Sequence, residues 1–193
     1  MANKTEIRIG GSGGQGVVLA AQILGKAAVL DGKNVLQTQA YGSEARGSLA
    51  KSEVIISDGK IYFPAVRKCD VLVSMNQEAL KALLKDLKET GTLIVDSTNV
   101  ETVPETKAKV YKLPITKTAK ETYGEAMYAN MIMLGVLEKV SMLVSEQSVE
   151  EAIKENVSAK TVENNIAAFR KGRQLQTLLI VPYLVGSSKS NKS

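Results

Sequence analysis

A glycine-rich stretch near the amino terminus has the residue types and spacing best suited to chemistry. The run from Gly11 to Gly16 (GSGGQG) fits the pattern G-x-G-x-x-G and lies between a short apolar run and a longer one with helical spacing. Glycine weakens strands and helices, but it allows a tight turn and lets a ligand approach the main chain. The following helix would offer unpaired N–H groups to an anion. We predict an anion-binding loop; a turn packed against a neighbour is the alternative.

The two standard ligands of such loops fit this sequence poorly. A P-loop ends in Gly-Lys-Ser/Thr, whereas Gly16 is followed by Val17 and Val18. A nicotinamide or flavin site expects an acidic residue at the end of the second strand, and that end reads QTQA at positions 37–40. A stand-alone Rossmann-like dinucleotide-binding oxidoreductase therefore remains only as an alternative.

A second polar loop, YGSEARG at Tyr41–Gly47, follows the second predicted strand. Arg46 lies near glycines, where its guanidinium could reach a phosphate or a carboxylate, and Glu44 could orient it. The alternative is a surface loop with a local Glu–Arg pair. In a parallel sheet, ligands lie beyond the carboxyl ends of the strands. We therefore expect both loops, with Met75-Asn76 and 97–99, at one edge.

Apolar periodicity positions these loops in an α/β fold. Strands alternate with helices, which predicts a three-layer sandwich whose mostly parallel sheet carries helices on both faces. A turn signal at 57–60 predicts a hairpin over 49–63 and hence a mixed sheet. Gly91 is predicted to end the second helix, and the C-terminal third is helical. Predicted strands are 6–10, 34–39, 49–57, 70–74, 92–96 and 109–115; predicted helices are 17–30, 77–88, 128–140, 148–155 and 160–173, with helical structure also after Thr116.

Composition excludes several classes of catalyst and partner. The chain has no His, which removes the usual general base and imidazole metal ligands. Its single Cys, Cys69, cannot hold an iron–sulfur cluster alone; we expect a buried small residue. The net charge is +5, but the lysines are scattered, so no nucleic-acid partner is predicted. No signal peptide or membrane-length apolar run is seen, so we expect a cytoplasmic protein that does not associate with a membrane.

The combined motifs resemble the gamma subunit of 2-oxoacid:ferredoxin oxidoreductases. The resemblance is carried by the glycine loop, by Tyr41–Gly47 and by a strand that ends in Ile-Ser-Asp at Asp58. Ala45 and Ser48 depart from the family pattern, where a larger residue and a second glycine are usual. The stretches 70–76, 92–97, 130–137 and 165–172 also look like the family.

The resemblance implies a function that this chain performs only with others. Such enzymes convert a 2-oxoacid and coenzyme A to acyl-CoA and CO₂, with ferredoxin as the electron acceptor. The resemblance places thiamine diphosphate and Mg on alpha and beta subunits, and iron–sulfur clusters on beta and a ferredoxin-like delta subunit, a further candidate partner. This chain would be a non-catalytic subunit, without catalytic or metal-binding residues, that contributes to coenzyme A binding and assembly. A purely structural assembly subunit is the alternative.

Among the oxoacids, overall resemblance favours 2-oxoglutarate, followed by pyruvate, branched-chain oxoacids and indolepyruvate. One domain is expected at 1–173, and the tail 174–193 is expected to be partly disordered or interface-forming. Its apolar run LLIVPYLV at 178–185 could add an edge strand or cover another subunit. The predicted coenzyme A-binding residues are Gly11, Ser12, Gly13, Gly14, Gln15, Gly16, Tyr41, Ser43, Glu44, Arg46 and Gly47.

Overall fold

The computed structural model describes residues 3–42, 49–175 and 178–180. Within them the chain forms strands and α-helices in the predicted alternation, joined by short 3₁₀ turns at 84–86, 126–128 and 159–161. The strands are β1 (Lys4–Ser12), β2 (Asn34–Tyr41), β3 (Leu49–Ser57), β4 (Cys69–Ser74), β5 (Leu87–Asp96), β6 (Lys109–Leu113) and β7 (Leu178–Ile180). The helices are α1 (Val17–Leu30), α2 (Gln77–Leu83), α3 (Ile115–Tyr123), α4 (Ala129–Ser141), α5 (Glu146–Asn156) and α6 (Val162–Gln174).

The strands of the described residues form one mixed sheet in the order β2-β3-β1-β4-β5-β6-β7. Strands β1, β4, β5 and β6 are mutually parallel. Strand β3 runs antiparallel between β1 and β2, and β7 runs antiparallel to β6 at the far edge. Of the two alternatives for the apolar tail, an edge strand is found over 178–180, while 181–193 lie outside the described residues.

The sheet is mixed, as predicted, but the predicted 49–63 hairpin is wrong. Residues 60–68 form no strand, because both edges of β3 are already paired, one with β1 and the other with β2. The turn signal itself is used, since the Gly59 amide donates to the Ser57 hydroxyl at 3.1 Å. The chain then crosses to the far side of β1 to begin β4.

Two apolar layers confirm the three-layer architecture. One face of the sheet packs against α1, α3, α4, α5 and α6 through a large cluster that includes Ile7, Ile9 and Phe169. The other face packs against α2 and the connections around 61–66 and 100–108, through a smaller cluster that includes Leu72 and Leu93. Helices thus cover both faces, and the C-terminal third is helical. No helix among the described residues is long and apolar enough to span a bilayer.

The second helix is shorter than predicted. Helix α2 ends at Leu83, and Gly91 lies inside β5 rather than at a helix end. Long-range contacts override the helical periodicity, because the Asp86 carboxylate binds the guanidinium of buried Arg8 at 2.6 Å just before β5. Gly91 is needed for a different reason, since a Cβ there would lie 2.8 Å from the Asp70 carbonyl oxygen.

Candidate functional site

The carboxyl ends of the parallel strands bring the predicted loops together. The Met75 amide donates to the Gly10 carbonyl at 2.9 Å, and the Gln77 amide donates to the Asn99 carbonyl at 3.1 Å. The segment after β4 therefore contacts the end of β1 on one side and the loop after β5 on the other. The expectation that Met75-Asn76 and residues 97–99 share an edge with the glycine loop is confirmed.

The glycine loop is held by its own side chains and by Asn76 from the loop after β4. Gln15 Oε1 accepts from the Ser12 amide at 2.7 Å, and Gln15 Nε2 donates to the Met75 carbonyl at 3.3 Å. Asn76 Nδ2 donates to Ser12 Oγ at 2.7 Å and to Gln15 Oε1 at 3.0 Å. Ser12 and Gln15 thus shape the loop, and the Ser12 amide is already occupied.

The end of the loop is held by a side chain from the C-terminal third. Gly16 is the N-cap of α1 and has a left-handed backbone at φ 70°. Asn130, which is 5% exposed, donates from Nδ2 to the Gly16 carbonyl at 3.4 Å. A Cβ on Gly16 would lie 2.4 Å from that same nitrogen. Gly16 therefore satisfies two demands at once: a conformation that side chains disfavour and close contact with α4.

The middle of the loop is open, whereas Val17 at the start of α1 is only 1% exposed. Gly13 and Gly14 are exposed, and no atom lies within 4 Å of the position a Cβ would take on Gly14. Among the described residues, no acceptor is found for the amides of Gly13, Gly14 or Val17. Helix α1 also has no side-chain cap and no acidic residue in its first turn. Its partial positive charge is therefore uncompensated by these residues.

The first amides of the two other helices that begin directly after strands at this edge have side-chain acceptors. Asn76 Oδ1 caps α2 by accepting from the Ala79 amide at 2.8 Å. Buried Asp96 accepts from the Thr116 amide of α3 at 3.2 Å and from its hydroxyl at 2.5 Å. Helix α1 differs from both, because it has no side-chain cap among the described residues.

The described residues that flank the second predicted motif lie at the same edge of the sheet as the glycine loop. Strand pairing sets Ser12 opposite Leu49, and Tyr41 opposite Ala50. The Gly42 amide donates to the Leu49 carbonyl at 2.9 Å, and the Tyr41 side chain is 61% exposed. Ser43, Glu44, Arg46 and Gly47 lie outside the described residues, so their roles stay predictions. Of the residues that flank them, Leu49 pairs directly with Ser12, and Tyr41 lies one strand further away.

The sheet order argues against the dinucleotide-binding alternative. In a Rossmann fold the first two strands are parallel members of one β-α-β unit that places an acidic side chain near the ribose. Here β3 separates β1 from β2. The end of β2 is therefore displaced from the glycine loop by one strand, and Gln39 there supplies no carboxylate.

Three residues at the site, Asn76, Asn130 and Asp96, were hard to identify from the sequence alone. Asn76 precedes Ala79 by three positions, which is the spacing of an N-cap. Asn130 meets the loop across 114 positions, and Asp96 meets Thr116 across 20, so no local pattern predicts either contact. Cys69 is fully buried as expected, and burial raises the pKa of its thiol to about 11, which leaves little thiolate at neutral pH.

Comparisons with known proteins agree with this arrangement. A family model for pyruvate ferredoxin/flavodoxin oxidoreductase matches residues 6–175. The chain is 47% identical over 179 residues to the 2-oxoglutarate synthase subunit KorC of Methanothermobacter marburgensis, across 89% of this chain and 96% of that protein.

Solved structures share the fold. The gamma subunit of keto/oxoacid ferredoxin oxidoreductase from Geobacter sulfurreducens PCA superposes with a TM-score of 0.78 at 41% identity, across 87% of this chain and 95% of that one. The 2-oxoglutarate:ferredoxin oxidoreductase from Magnetococcus marinus, with 2-oxoglutarate, coenzyme A and succinyl-CoA bound, gives a TM-score of 0.80 at 24% identity. That match covers 88% of this chain but 30% of the other, so the same fold there lies within a longer polypeptide.

Proposed function

The chain belongs to the pyruvate ferredoxin/flavodoxin oxidoreductase family, and we propose that it is the gamma subunit of a 2-oxoglutarate:ferredoxin oxidoreductase that contributes to coenzyme A binding and to assembly. The choice of 2-oxoglutarate rests on the identity with the archaeal KorC subunit. Pyruvate and branched-chain oxoacids are the next substrates to test in the assembled enzyme.

The open glycine loop is the observation that carries the coenzyme A proposal. Coenzyme A has a diphosphate, a 3′-phosphate and a pantetheine arm that bears amides. The exposed and unoccupied amides of Gly13 and Gly14 match an anionic or carbonyl acceptor, and the uncompensated positive end of α1 favours negative charge. The exposed glycines let such a group come within hydrogen-bonding distance of the backbone.

The second motif would complete the site. The described residues on either side of it, Gly42 and Leu49, are hydrogen-bonded to each other, and Leu49 pairs with Ser12, which supports a site shared by the two loops. In our proposal Arg46 binds a phosphate of coenzyme A or a carboxylate of a neighbouring subunit, Glu44 orients it, and Ser43 and Gly47 give the loop its turn.

Other polypeptides would supply the redox chemistry. This chain offers no imidazole, and its one thiol is buried with a raised pKa. In the proposed complex, alpha and beta subunits hold thiamine diphosphate and Mg, and beta and delta subunits hold the iron–sulfur clusters that reduce ferredoxin. The contribution of the present chain is to position the acceptor of the acyl group.

Substitution at Gly13 tests the loop with a matched control. Gly13 is exposed and is not among the glycines with positive φ, so it accepts a side chain without backbone strain. Gly13→Asp places a carboxylate at the open amides, whereas Gly13→Asn adds the same volume without charge. We expect the aspartate to raise the KM for coenzyme A of the reconstituted enzyme at least about tenfold, or about 1.4 kcal/mol, and asparagine to change it little.

Two further measurements on the same variants, the salt dependence of KM and the size of the complex, distinguish binding at the loop from a purely structural role. The effect should shrink at high salt, because exposed charges are screened, and the complex should elute at an unchanged size. Equal KM values for Gly13→Asp and wild type would refute binding at this loop. Loss of the complex in both variants would instead favour a structural loop, an alternative supported by the internal bonds of Ser12, Gln15 and Asn76.

A further inference from the structure

Four consecutive apolar residues, Tyr62 to Ala65, are exposed on the connection between β3 and β4. Tyr62 is 89% exposed and Phe63 is 50% exposed. Aromatic residues are scarce in this chain, which has six Tyr and two Phe. Two of them are adjacent here, and both are exposed to solvent. Contiguous exposed apolar residues mark interaction surfaces more often than single ones do. We refer to these residues as the 62–65 segment.

The backbone around the 62–65 segment is firmly attached to the core. Val66 is buried, and its carbonyl accepts from the Arg8 guanidinium at 2.7 Å. Arg8 is itself 3% exposed and binds Glu53 and Asp86. Ile61, before the segment, packs against the smaller apolar cluster. The aromatic side chains are therefore presented on a held backbone, which reduces the entropy lost when a partner binds.

A cavity of about 360 Å³ lies beside the segment, with Phe63 and Ala65 in its wall. Four cations also line it, Lys4, Arg67, Lys68 and Lys88, against the single carboxylate of Glu6. An apolar wall with a cationic rim suits an apolar side chain flanked by negative charge.

Two of these cations are available to a partner. Lys4 binds Glu6 at 3.0 Å, and Lys88 binds Asp70 at 2.7 Å. Arg67 instead stacks over the Phe63 ring at 4.8 Å, and Lys68 donates to the Lys85 carbonyl. Within the described part of the chain, neither has a carboxylate partner. The surface therefore carries uncompensated positive charge next to exposed aromatic rings.

We propose that the 62–65 segment and its cavity dock an acidic segment of another subunit of the same oxidoreductase. An apolar side chain of that segment enters the cavity beside Phe63, and its carboxylates meet Arg67 and Lys68. The inference rests on the proposed function, because it takes the partner from the same complex. The cavity adjoins Lys4 and Glu6 at the start of β1, whereas the glycine loop follows its end, roughly 26 Å away at about 3.3 Å per residue.

Two sets of substitutions test the docking surface from its apolar and its charged side. The first set is Tyr62→Ser with Phe63→Ser, and the second is Arg67→Glu with Lys68→Glu. Lys154→Glu with Lys160→Glu, at exposed positions of the helical third, is the matched charge control. All these positions are exposed, and equal thermal unfolding midpoints would confirm folding. Binding of each purified chain to the remaining subunits is measured by interferometry at low and high salt.

We expect each site variant to weaken association at least about tenfold, and the control to bind as wild type. The wild-type dissociation constant should rise with salt, and the Arg67→Glu, Lys68→Glu variant should lose that dependence.

Wild-type binding by both site variants would overturn the inference, as would dimerisation of the isolated chain that Phe63→Ser abolishes. The KM for coenzyme A at saturating chain should stay unchanged in these variants, whereas Gly13→Asp should alter KM without altering association. Failure of the wild-type chain to join the other subunits would instead contradict the proposed function.

Discussion

At the scale of single residues, the candidate site depends on backbone conformation more than on reactive side chains. Gly16 takes a left-handed conformation with Asn130 pressed against its Cα. Asn130 Oδ1 is buried without a hydrogen-bond partner among the described residues, an arrangement that costs free energy. The pair therefore couples the shape of the glycine loop to the position of α4.

A double-mutant cycle measures this coupling. Gly16→Ala should lower the free energy of unfolding by about 2–4 kcal/mol, because alanine is strained at φ 70° and overlaps Asn130. In an Asn130→Ala background the two closest contacts, with Nδ2 and Cγ, disappear, and the strain remains with a 3.1 Å contact to the Cβ of residue 130. Gly16→Ala should then cost at least about 1 kcal/mol less. Urea unfolding of the four chains gives the result, and strictly additive effects would contradict the contact.

The glycine loop could be predicted from local residues, but the distant side chain that holds it in place could not. The glycine spacing and the adjoining strand and helix identify Gly11–Gly16 directly, because each requirement is met within a few positions. The Asn130 contact spans 114 positions, and a single sequence contains no sign of it. The roles of Ser43, Glu44, Arg46 and Gly47 remain predictions.

At the scale of elements, the closest packing is between α4 and α6. A Cβ on Gly135 would lie 2.0 Å from the Phe169 carbonyl oxygen, and one on Gly172 would lie 2.0 Å from the Ile132 carbonyl oxygen. The two helices thus approach with backbone against backbone, each through its own glycine. This crossing fixes α4 on the sheet, and with it Asn130 beside the loop.

Alanine substitutions compare this crossing with an ordinary helical glycine. Gly135→Ala should lower the free energy of unfolding by about 3 kcal/mol, because the helices must separate. Gly25→Ala on α1 is the control, since its Cβ would meet only Val35 at 3.4 Å. That change should be neutral or stabilise by up to about 1 kcal/mol. Equal unfolding midpoints for the two variants would contradict the close crossing.

Element types were predictable where one periodicity dominates, as in α1, whose observed bounds match the predicted 17–30. Two errors arose where distant contacts decide the outcome. The 60–63 strand fails because β3 is already paired on both edges. The 77–88 helix stops early because Arg8 and Asp86 bind across the sheet, although the leucine spacing continues.

At the scale of the whole molecule, one carboxylate joins the first helix to the C-terminal third. Asp31 accepts from the Ser145 amide at 2.6 Å and from the Ser148 hydroxyl at 2.5 Å. Burial alone would raise the pKa of Asp31, but the hydrogen bonds from Ser148 and Ser145 and the charge of Lys33 together hold it below its ordinary value of 3.8.

This lowered pKa predicts a pH dependence with a definite sign. Protonation favours the unfolded chain, so the stabilisation is complete above about pH 5 and is lost as the pH falls through the folded-state pKa. Asp31→Asn should lower the free energy of unfolding at pH 7 by about 1 kcal/mol. It should also flatten the decline of stability between about pH 5 and pH 3. Urea unfolding across that range measures both, and parallel curves for variant and wild type would contradict the linkage.

The length of strand β1 fixes the distance between the features at its two ends. The strand leads into the glycine loop at one end and adjoins the cavity beside Phe63 at the other. If both proposals hold, its residue count would set the distance between bound coenzyme A and the docked subunit. Lengthening it would require residues in pairs, because an odd insertion turns every later side chain to the opposite face of the sheet. In the proposed complex, the nine residues of this strand would thus define how deep the acyl acceptor lies.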